Sequence, residues 1–309
     1  MAVVQAGSIL MDKKSCTEKA VSLIGEAAGE GAEIILFPEA FISGYPRGLY
    51  FGTRVGDRSD RGRRDWQRYW KSSVQMQGEV IDRLCKAART HGAYVVMGII
   101  ERDSQYSGGT LYCTVVYIGP EGKVLGKHRK LKPTGSERLV WGEGDGSTLT
   151  VIDTPAGRIG GLICWENYMP LARAAMYAKG IDIYLAPTAD ARKRWQATLR
   201  HIAMEGRCFV LGCNQYVTRD MYPDDLETID DTTLTEDPVC AGGSAVVGPL
   251  GNYVVKPDYG EEQILLAELD MSKVSASRMD FDATGHYGRP DVFELTVNEQ
   301  PQNPAEFLR

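Results

Sequence analysis

Cys164 is the residue of this sequence best placed to act as a nucleophile. It lies in the segment GGLICWENYMP, at the end of an apolar strand and shortly before a predicted helix that begins near Pro170. A thiol at such a strand-to-helix turn can be reached by a ligand while nearby backbone amides stabilise negative charge. Most free cysteines are instead inert core residues, and we accept that interpretation for the other six. The polar run Trp165-Glu166-Asn167 argues against it at Cys164.

Two glutamates and a lysine could assist such a nucleophile. Glu39 lies in LFPEAF, two residues after a predicted buried strand. Apolar surroundings would raise the pKa of its carboxyl, which suits a general base near neutral pH, although an exposed loop glutamate is an open alternative. Lys130 lies in GKHRKLKPT, where four Lys and Arg residues within six positions are typical of a solvated surface, and Glu137 has no distinguishing pattern of its own. The chain has only four histidines, so a histidine base for Cys164 is not expected.

Helices and strands alternate along the chain and would position these residues. Apolar residues at helical spacing predict helices, and short apolar runs between them predict buried strands. The phrases GPEG and GPLG, at 119–122 and 248–251, each predict the turn of a β-hairpin. This order predicts an α/β layered sandwich with mixed sheets, in one domain because no Ser- or Gly-rich linker divides the chain. The predicted helices are 16–29, 80–88, 169–179 and 196–205, and the predicted strands are 33–37, 94–100, 111–118, 123–128, 158–163, 181–186, 209–213, 245–247 and 253–255.

Composition restricts the class of protein. With 309 residues, 43% hydrophobic and 25% charged, the chain has ordinary globular values. A net charge of −6 argues against a nucleic acid or an anionic membrane as the main partner, and no apolar run is long enough to span a membrane. The N-terminal MAVVQAGSIL resembles a first strand rather than a secretion signal.

Cysteine and histidine usage indicates the compartment and argues against a metal. Seven scattered cysteines without a CxxC pair favour a reducing cytoplasm over a secreted disulfide scaffold. The four histidines form neither an HExxH motif nor a cluster with cysteines, so a zinc site is not expected.

Three further segments are predicted to lie at the surface. Residues 54–71 hold seven basic and three acidic side chains and favour a solvated segment over a binding patch. Residues 218–238 are acidic and poor in strand formers, which predicts an exposed loop. The end of the chain from Pro301 has few apolar residues and predicts a loose or docked terminus.

Taken together, the candidate segments resemble a known family. FPEAFISGYPRG, GKHRKLKPT with SERLVWGEGDGS, and GGLICWENYMP resemble, in order, the three signature segments of the nitrilases, which are the nitrile-hydrolysing branch of the carbon–nitrogen hydrolase superfamily. The resemblance extends from AVVQAGS at the start to GHYGRPDVFELTVNE near the end. It implies a four-layer α-β-β-α sandwich with a Glu-Lys-Cys triad, which falls on Glu39, Lys130 and Cys164. A second glutamate near the triad falls on Glu137.

The resemblance also implies a reaction and an assembly. A nitrile would become a thioimidate and then a thioester on Cys164, with release of ammonia and acid, and with no metal or organic cofactor. By analogy, the pocket would be lined by Tyr45, Trp165, Thr188, Ala189 and Trp195. Residues 1–284 would form the catalytic domain, and residues 285–309 a tail that helps dimers to stack into larger, often spiral, homo-oligomers in the cytoplasm.

Three other functions compete with this interpretation. An amidase of the same fold would act on a carboxamide through the same thioester, and the products distinguish the two. A non-catalytic scaffold would tolerate loss of Glu39, Lys130 or Cys164, yet all three are present. A thiol redox protein would need a resolving cysteine, and none lies near Cys164 in the sequence.

Overall fold

The structure is a computed structural model that describes residues 1–305 except 57, 231 and 233. The first helix begins at Lys13, three residues before the start predicted from apolar spacing. Asp12 caps it, since its side chain accepts a hydrogen bond from Ser15 N. Gly92, in the left-handed conformation at φ 62°, ends the helix Glu79–His91. The α-helices are α1 (Lys13–Gly29), α2 (Asp60–Ser72), α3 (Glu79–His91), α4 (Pro170–Ala178), α5 (Trp195–Gly206) and α6 (Ser272–Ser277).

Two mixed six-stranded sheets form the centre of the molecule. The first sheet has the order β14-β1-β2-β3-β4-β5 and the second β13-β12-β9-β8-β7-β6, each with three adjacent parallel strands flanked by antiparallel ones. The strands are β1 (Ala2–Gln5), β2 (Ile34–Leu36), β3 (Tyr94–Arg102), β4 (Leu111–Ile118), β5 (Val124–Arg129), β6 (Val151–Thr154), β7 (Gly157–Gly161), β8 (Ile183–Thr188), β9 (Phe209–Asn214), β10 (Tyr216–Val217), β11 (Cys240–Ala241), β12 (Ser244–Val247), β13 (Tyr253–Asp258) and β14 (Gln263–Leu266).

Three hydrophobic cores separate four layers. One core lies between the two sheets, a second lies between the first sheet and helices α1 and α3, and a third lies between the second sheet and helices α4 and α5. Strand β2 explains the apolar runs, because Ile34 and Leu36 enter the central core while Ile35 enters the outer one. Both faces are buried, so alternation with polar residues is absent. The predicted α-β-β-α sandwich is confirmed.

Two surface predictions need correction. Residues 54–71 include helix α2, which begins after the capping Ser59. It buries Tyr69 and Asp65, while Arg61, Arg63 and Arg64 remain exposed. Periodicity missed this helix because its charged residues greatly outnumber its apolar ones. The 218–238 segment is not wholly exposed, since Tyr222 and Thr228 are buried.

After α6 the chain continues without further helix or strand as far as residue 305. Glu299 forms an ion pair with Lys179, and Gln302 N donates to Asp145 at 2.7 Å, so this part of the predicted tail is docked. No helix in the described part of the chain is long and apolar enough to cross a membrane.

Candidate active site

Cys164 occupies a strained turn between the second sheet and α4. It follows β7 and begins a short 3-10 helix, Cys164–Tyr168, with φ at +53°. A non-glycine residue in that region costs on the order of 1–3 kcal/mol, so neighbouring contacts must hold the turn. The Asn167 amide supplies them by donating to the backbone oxygens of Leu162 at 2.9 Å and Cys164 at 2.8 Å. Tyr184 in turn donates to the Asn167 side-chain oxygen at 2.7 Å.

The predicted glutamates and lysine meet in one buried group. Lys130, which follows β5 directly, donates from Nζ to Glu39 Oε1 at 2.7 Å and to Glu137 Oε2 at 2.8 Å. Glu39 is fully buried just after β2, and Lys130 is 1% exposed. The turn that carries Glu39 packs against Gly98 of β3, where an added Cβ would lie 1.9 Å from Pro38 O. Only glycine allows that approach.

The electrostatics of this group keep the resting thiol protonated. Burial, together with the Glu39 charge, raises the pKa of Cys164 to about 12. Burial also raises the pKa of the Glu39 carboxyl, and the charge of Lys130 only partly offsets this. For Lys130 burial acts to lower the pKa, but Glu39 and the surrounding acidic groups outweigh it and the pKa lies well above 10.5. Cys164 therefore needs a base to become a thiolate.

Glu39 has one carboxylate oxygen available for that proton. Its Oε1 faces Lys130, whereas its Oε2 is buried and has no hydrogen-bond partner among the described residues. The backbone oxygen of Glu39 accepts from Gln215 Nε2 at 2.8 Å, which fixes the turn. Thr188 Oγ1 donates to Cys164 Sγ at 3.2 Å, a contact that would stabilise a thiolate.

The Glu137 carboxylate accepts more hydrogen bonds than that of Glu39. Tyr45 donates from its hydroxyl to Oε1 at 2.6 Å, and Thr134 N donates to Oε2 at 2.6 Å in addition to Lys130. Thr134 and Glu137 form a capping box on the 3-10 helix Gly135–Leu139. The T-x-x-E spacing was therefore a readable sequence signal for the position of Glu137.

Cys164 lies in the wall of a cavity of about 570 Å³, a size that suits a small organic ligand. Tyr45, Trp165 and Ala189 of the predicted lining residues face it, and Thr188 contacts Cys164 directly. Trp195 is not in its lining; it is 2% exposed and packs in the core under α5, edge to face with Tyr168. The family resemblance placed Trp195 in the pocket, whereas the structure buries it in this core.

Charged residues that sequence reasoning missed complete the cavity. Arg47 donates to Ala189 O at 2.5 Å, and Asp190 binds both Arg192 and Trp165 Nε1, the latter at 2.9 Å. Arg47 stands inside FPEAFISGYPRG, so its segment was identified although its side chain was not. Glu236, Pro238, Val239 and Ala241 also line the cavity.

His128 and Glu166 were also missed, although both lie inside the quoted segments. His128 stands two residues before Lys130, but its ring faces Thr148 O and Glu166 rather than Cys164. No cluster of His, Cys, Asp and Glu suited to a metal ion occurs among the described residues.

A buried glutamate–lysine pair beside a cysteine, set between the two sheets of an α-β-β-α sandwich, is the arrangement of a cysteine-dependent hydrolase. Residues 1–279 match the profile of the carbon–nitrogen hydrolase family. The chain belongs to that family, as its sequence resemblance predicted, and it groups there with the nitrilases.

Several relatives match almost the whole chain. A bifunctional nitrilase/nitrile hydratase from Lupinus angustifolius is 50% identical, covering 99% of this chain and 87% of its own length. An aliphatic nitrilase from Sinorhizobium fredii is 50% identical over 98% of this chain and 96% of its own. Nitrilase 3 from Arabidopsis thaliana is 46% identical, covering 99% of this chain and 88% of its own length.

Solved structures support the fold. A branch 10 member of the nitrilase superfamily from Saccharomyces cerevisiae superposes with a TM-score of 0.73 at 24% identity, covering 93% of this chain and 95% of that one. At this identity the similarity establishes the sandwich and nothing finer.

Proposed function

We propose that this protein is a nitrilase that hydrolyses an organic nitrile to the carboxylic acid and ammonia, with some release of the amide. The observation that carries this proposal is near-full-length identity of 46–50% to proteins named as nitrilases. The cavity beside Cys164 and the buried Lys130 between two carboxylates support it chemically.

In the first step Cys164 attacks the nitrile carbon. Its thiol proton passes to Glu39, a carbon–sulfur bond forms, and one π bond of the nitrile breaks. The nitrogen then takes up the proton, which leaves a thioimidate on Cys164. The ammonium of Lys130 stabilises the charge that develops on nitrogen, and the N–H of Trp165, in the first turn of its 3-10 helix, can donate as well.

In the second step Glu39 activates a water that adds to the thioimidate carbon. If the carbon–nitrogen bond of this intermediate breaks, ammonia leaves and a thioester remains, which a second water hydrolyses to the acid. If the carbon–sulfur bond breaks instead, the amide is released and the thiol is regenerated. The relative from Lupinus angustifolius is named a bifunctional nitrilase/nitrile hydratase, which matches this division of products.

The experiment that tests the proposal is a panel of aliphatic, aromatic and arylaceto nitriles with the matching carboxamides. Ammonia, acid and amide are quantified separately for the wild type and for Cys164→Ala. We expect at least one nitrile to yield acid and ammonia with a minor share of amide. Faster hydrolysis of every carboxamide than of any nitrile would identify an amidase instead.

We further propose that the protein self-associates, with residues 285–309 contributing to contacts beyond the 1–284 catalytic domain. Exposed apolar side chains support this proposal, because large exposed apolar patches mark association surfaces. They occur near the start of α4 and along the tail, at Met169, Leu171, Val292, Phe293 and Leu295.

We also propose a cytoplasmic location. All seven cysteines are free thiols, and six of them are buried. A reducing compartment keeps such thiols in this state.

A further inference from the structure

The Glu166 side chain binds backbone N–H groups next to both Lys130 and Cys164. Its Oε1 accepts from Leu131 N at 2.6 Å, and its Oε2 accepts from Ile163 N at 2.7 Å. Leu131 directly follows Lys130, and Ile163 directly precedes Cys164. One buried carboxylate therefore bridges the strand end of the first sheet that carries the lysine and the turn of the second sheet that carries the thiol.

His128 completes this bridge as a charged partner. Its Nδ1 lies 3.0 Å from the backbone oxygen of Thr148, which can only accept, so Nδ1 carries a proton. Its Nε2 lies 3.0 Å from Glu166 Oε2. Since Glu166 already accepts two short backbone hydrogen bonds, it is held as a carboxylate, and Nε2 must donate to it. Both ring nitrogens then carry protons, and His128 is an imidazolium.

The surroundings of this pair include two buried tyrosines, Tyr117 and Tyr184. Burial alone would lower the pKa of His128, but the Glu166 carboxylate raises it above its ordinary value. Glu166 interacts electrostatically with Tyr117 on β4 and Tyr184 on β8, and burial raises the pKa of both, so they stay neutral. The pair is thus a buried, doubly anchored ion pair.

We propose that Glu166, with His128 as its charged partner, is a positioning residue that fixes the Cys164 sulfur relative to the Lys130 ammonium, an inference that rests on the proposed function. Loss of the bridge would leave the cavity and its substrate contacts in place while the two reacting groups drift apart. A misplacement of about 1 Å between reacting groups costs on the order of 10²-fold in rate. The effect therefore belongs to kcat rather than to KM.

The first test compares four variants on a nitrile that the wild type hydrolyses. Glu166→Gln places an NH₂ group against one of the two backbone donors, and His128→Gln removes the cation. We expect kcat to fall about 100-fold and about tenfold respectively, in line with lost positioning, with KM changed less than about threefold. Glu121→Gln on an exposed hairpin turn and His201→Gln on the exposed face of α5 are the matched controls and should leave both constants unchanged. Folded Glu166→Gln enzyme with wild-type kcat would overturn the proposal.

The second test uses the wild type, so it remains decisive if the variants fail to fold. Isotope-labelled histidines are followed by NMR across pH, and the four signals are assigned with single His→Gln variants or by their exposure to solvent. We expect His128 to stay protonated at the pH of maximal kcat, and kcat to decline on the alkaline side with the midpoint of the His128 signal. A neutral His128 at the pH of maximal kcat would overturn the proposal. Failure of the wild type to hydrolyse any nitrile would instead contradict the proposed function.

Discussion

At the scale of single residues, Glu39 and Glu137 contact the same lysine but differ in how many hydrogen bonds their carboxylate oxygens already accept. Glu39 keeps one buried oxygen without a hydrogen-bond partner among the described residues, whereas both oxygens of Glu137 accept hydrogen bonds. A base needs an available lone pair close to the proton that it takes. Glu39 meets this condition, and Glu137 is suited to holding Lys130 in place.

Substitution of the two glutamates should separate these roles. Glu39→Gln should lower turnover by roughly 10²–10⁴-fold, the usual effect of losing a general base. It should also slow acylation of Cys164 by an activated acyl ester. Glu137→Gln should slow turnover yet leave acylation by the ester close to the wild-type rate. Wild-type acylation in Glu39→Gln together with loss in Glu137→Gln would mean that the roles are reversed.

Removal of the thiol should abolish turnover without unfolding the protein. Cys164→Ala changes little volume in the buried turn, and alanine keeps the same backbone preference at φ +53°. Mass spectrometry of wild-type enzyme quenched during turnover should find an acyl or imidoyl adduct on the peptide that contains Cys164. Cys85→Ala on α3 is the control and should remain active. An adduct on another cysteine would contradict the assignment.

The raised pKa of Glu39 predicts the acid side of the pH profile. The base form is the carboxylate, so activity should be lost as pH falls through a pKa above the ordinary carboxyl value of 4.5. The stability contribution has the opposite pH dependence: burial favours the protonated form at low pH, and this contribution is lost as pH rises through the folded pKa. The measurement is kcat/KM from pH 4 to 8. An acid midpoint below 4.5 would contradict burial as the dominant cause.

At the scale of elements, helix α2 and the acidic segment 225–230 hold each other. Asp65 is 4% exposed, and its Oδ2 accepts from Glu227 N at 3.0 Å and from the backbone and hydroxyl of Thr228, both at 2.6 Å. Arg64 binds Glu227 with two hydrogen bonds of 2.7 Å at the surface. The sequence predicted a basic and an acidic surface segment separately, and only folding brings them together.

Asp65→Ala should therefore loosen the segment that leads to the cavity wall. Three donors would lose a buried acceptor, and each unsatisfied buried group costs about 1–3 kcal/mol. We expect a lower free energy of unfolding in urea, faster proteolysis within 223–236, and a higher KM because Glu236 and Val239 line the cavity. Asp60→Ala at the exposed start of α2 is the control. Unchanged proteolysis in Asp65→Ala would refute the anchoring role.

Local patterns predicted most elements, but they could not place every site residue. Strands β2 and β8 were readable because both faces are buried, which leaves a continuous apolar run. The buried position of Lys130 could not be predicted in this way, since its basic neighbours resemble a solvated surface. Its burial depends on Glu39, 91 residues earlier, and on Glu137, seven residues later. The family resemblance located these residues, and their spacing alone would not have done so.

At the scale of the whole molecule, the layer architecture could be predicted but the strand order could not. Alternating helices and strands require helices outside and sheets inside. Pairing of β14 with β1 joins residues more than 250 positions apart, for example Ala2 with Leu266. No local pattern specifies such a long-range neighbour.

The tail gives a prediction at this scale. We expect the wild type to be at least a dimer by light scattering at micromolar concentration, and deletion of residues 285–309 to reduce its mass. Phe293, which is 77% exposed, supplies a point variant, and Phe293→Ser should weaken assembly more than Leu250→Ser, a change at a 59% exposed position outside the tail. A fully active wild-type monomer would contradict this expectation.

The reacting groups are divided between the two sheets, so enzymatic activity requires the two halves of the chain to be correctly packed against each other. Glu39 and Lys130 follow strands of the first sheet, and Cys164 follows a strand of the second, with the connection between β5 and β6 joining them. A chain cut in that connection would yield two inert fragments, one with base and cation and the other with the nucleophile. Nitrile turnover would return only on reassociation, so the molecule could serve as a split reporter whose signal requires the central interface to be rebuilt.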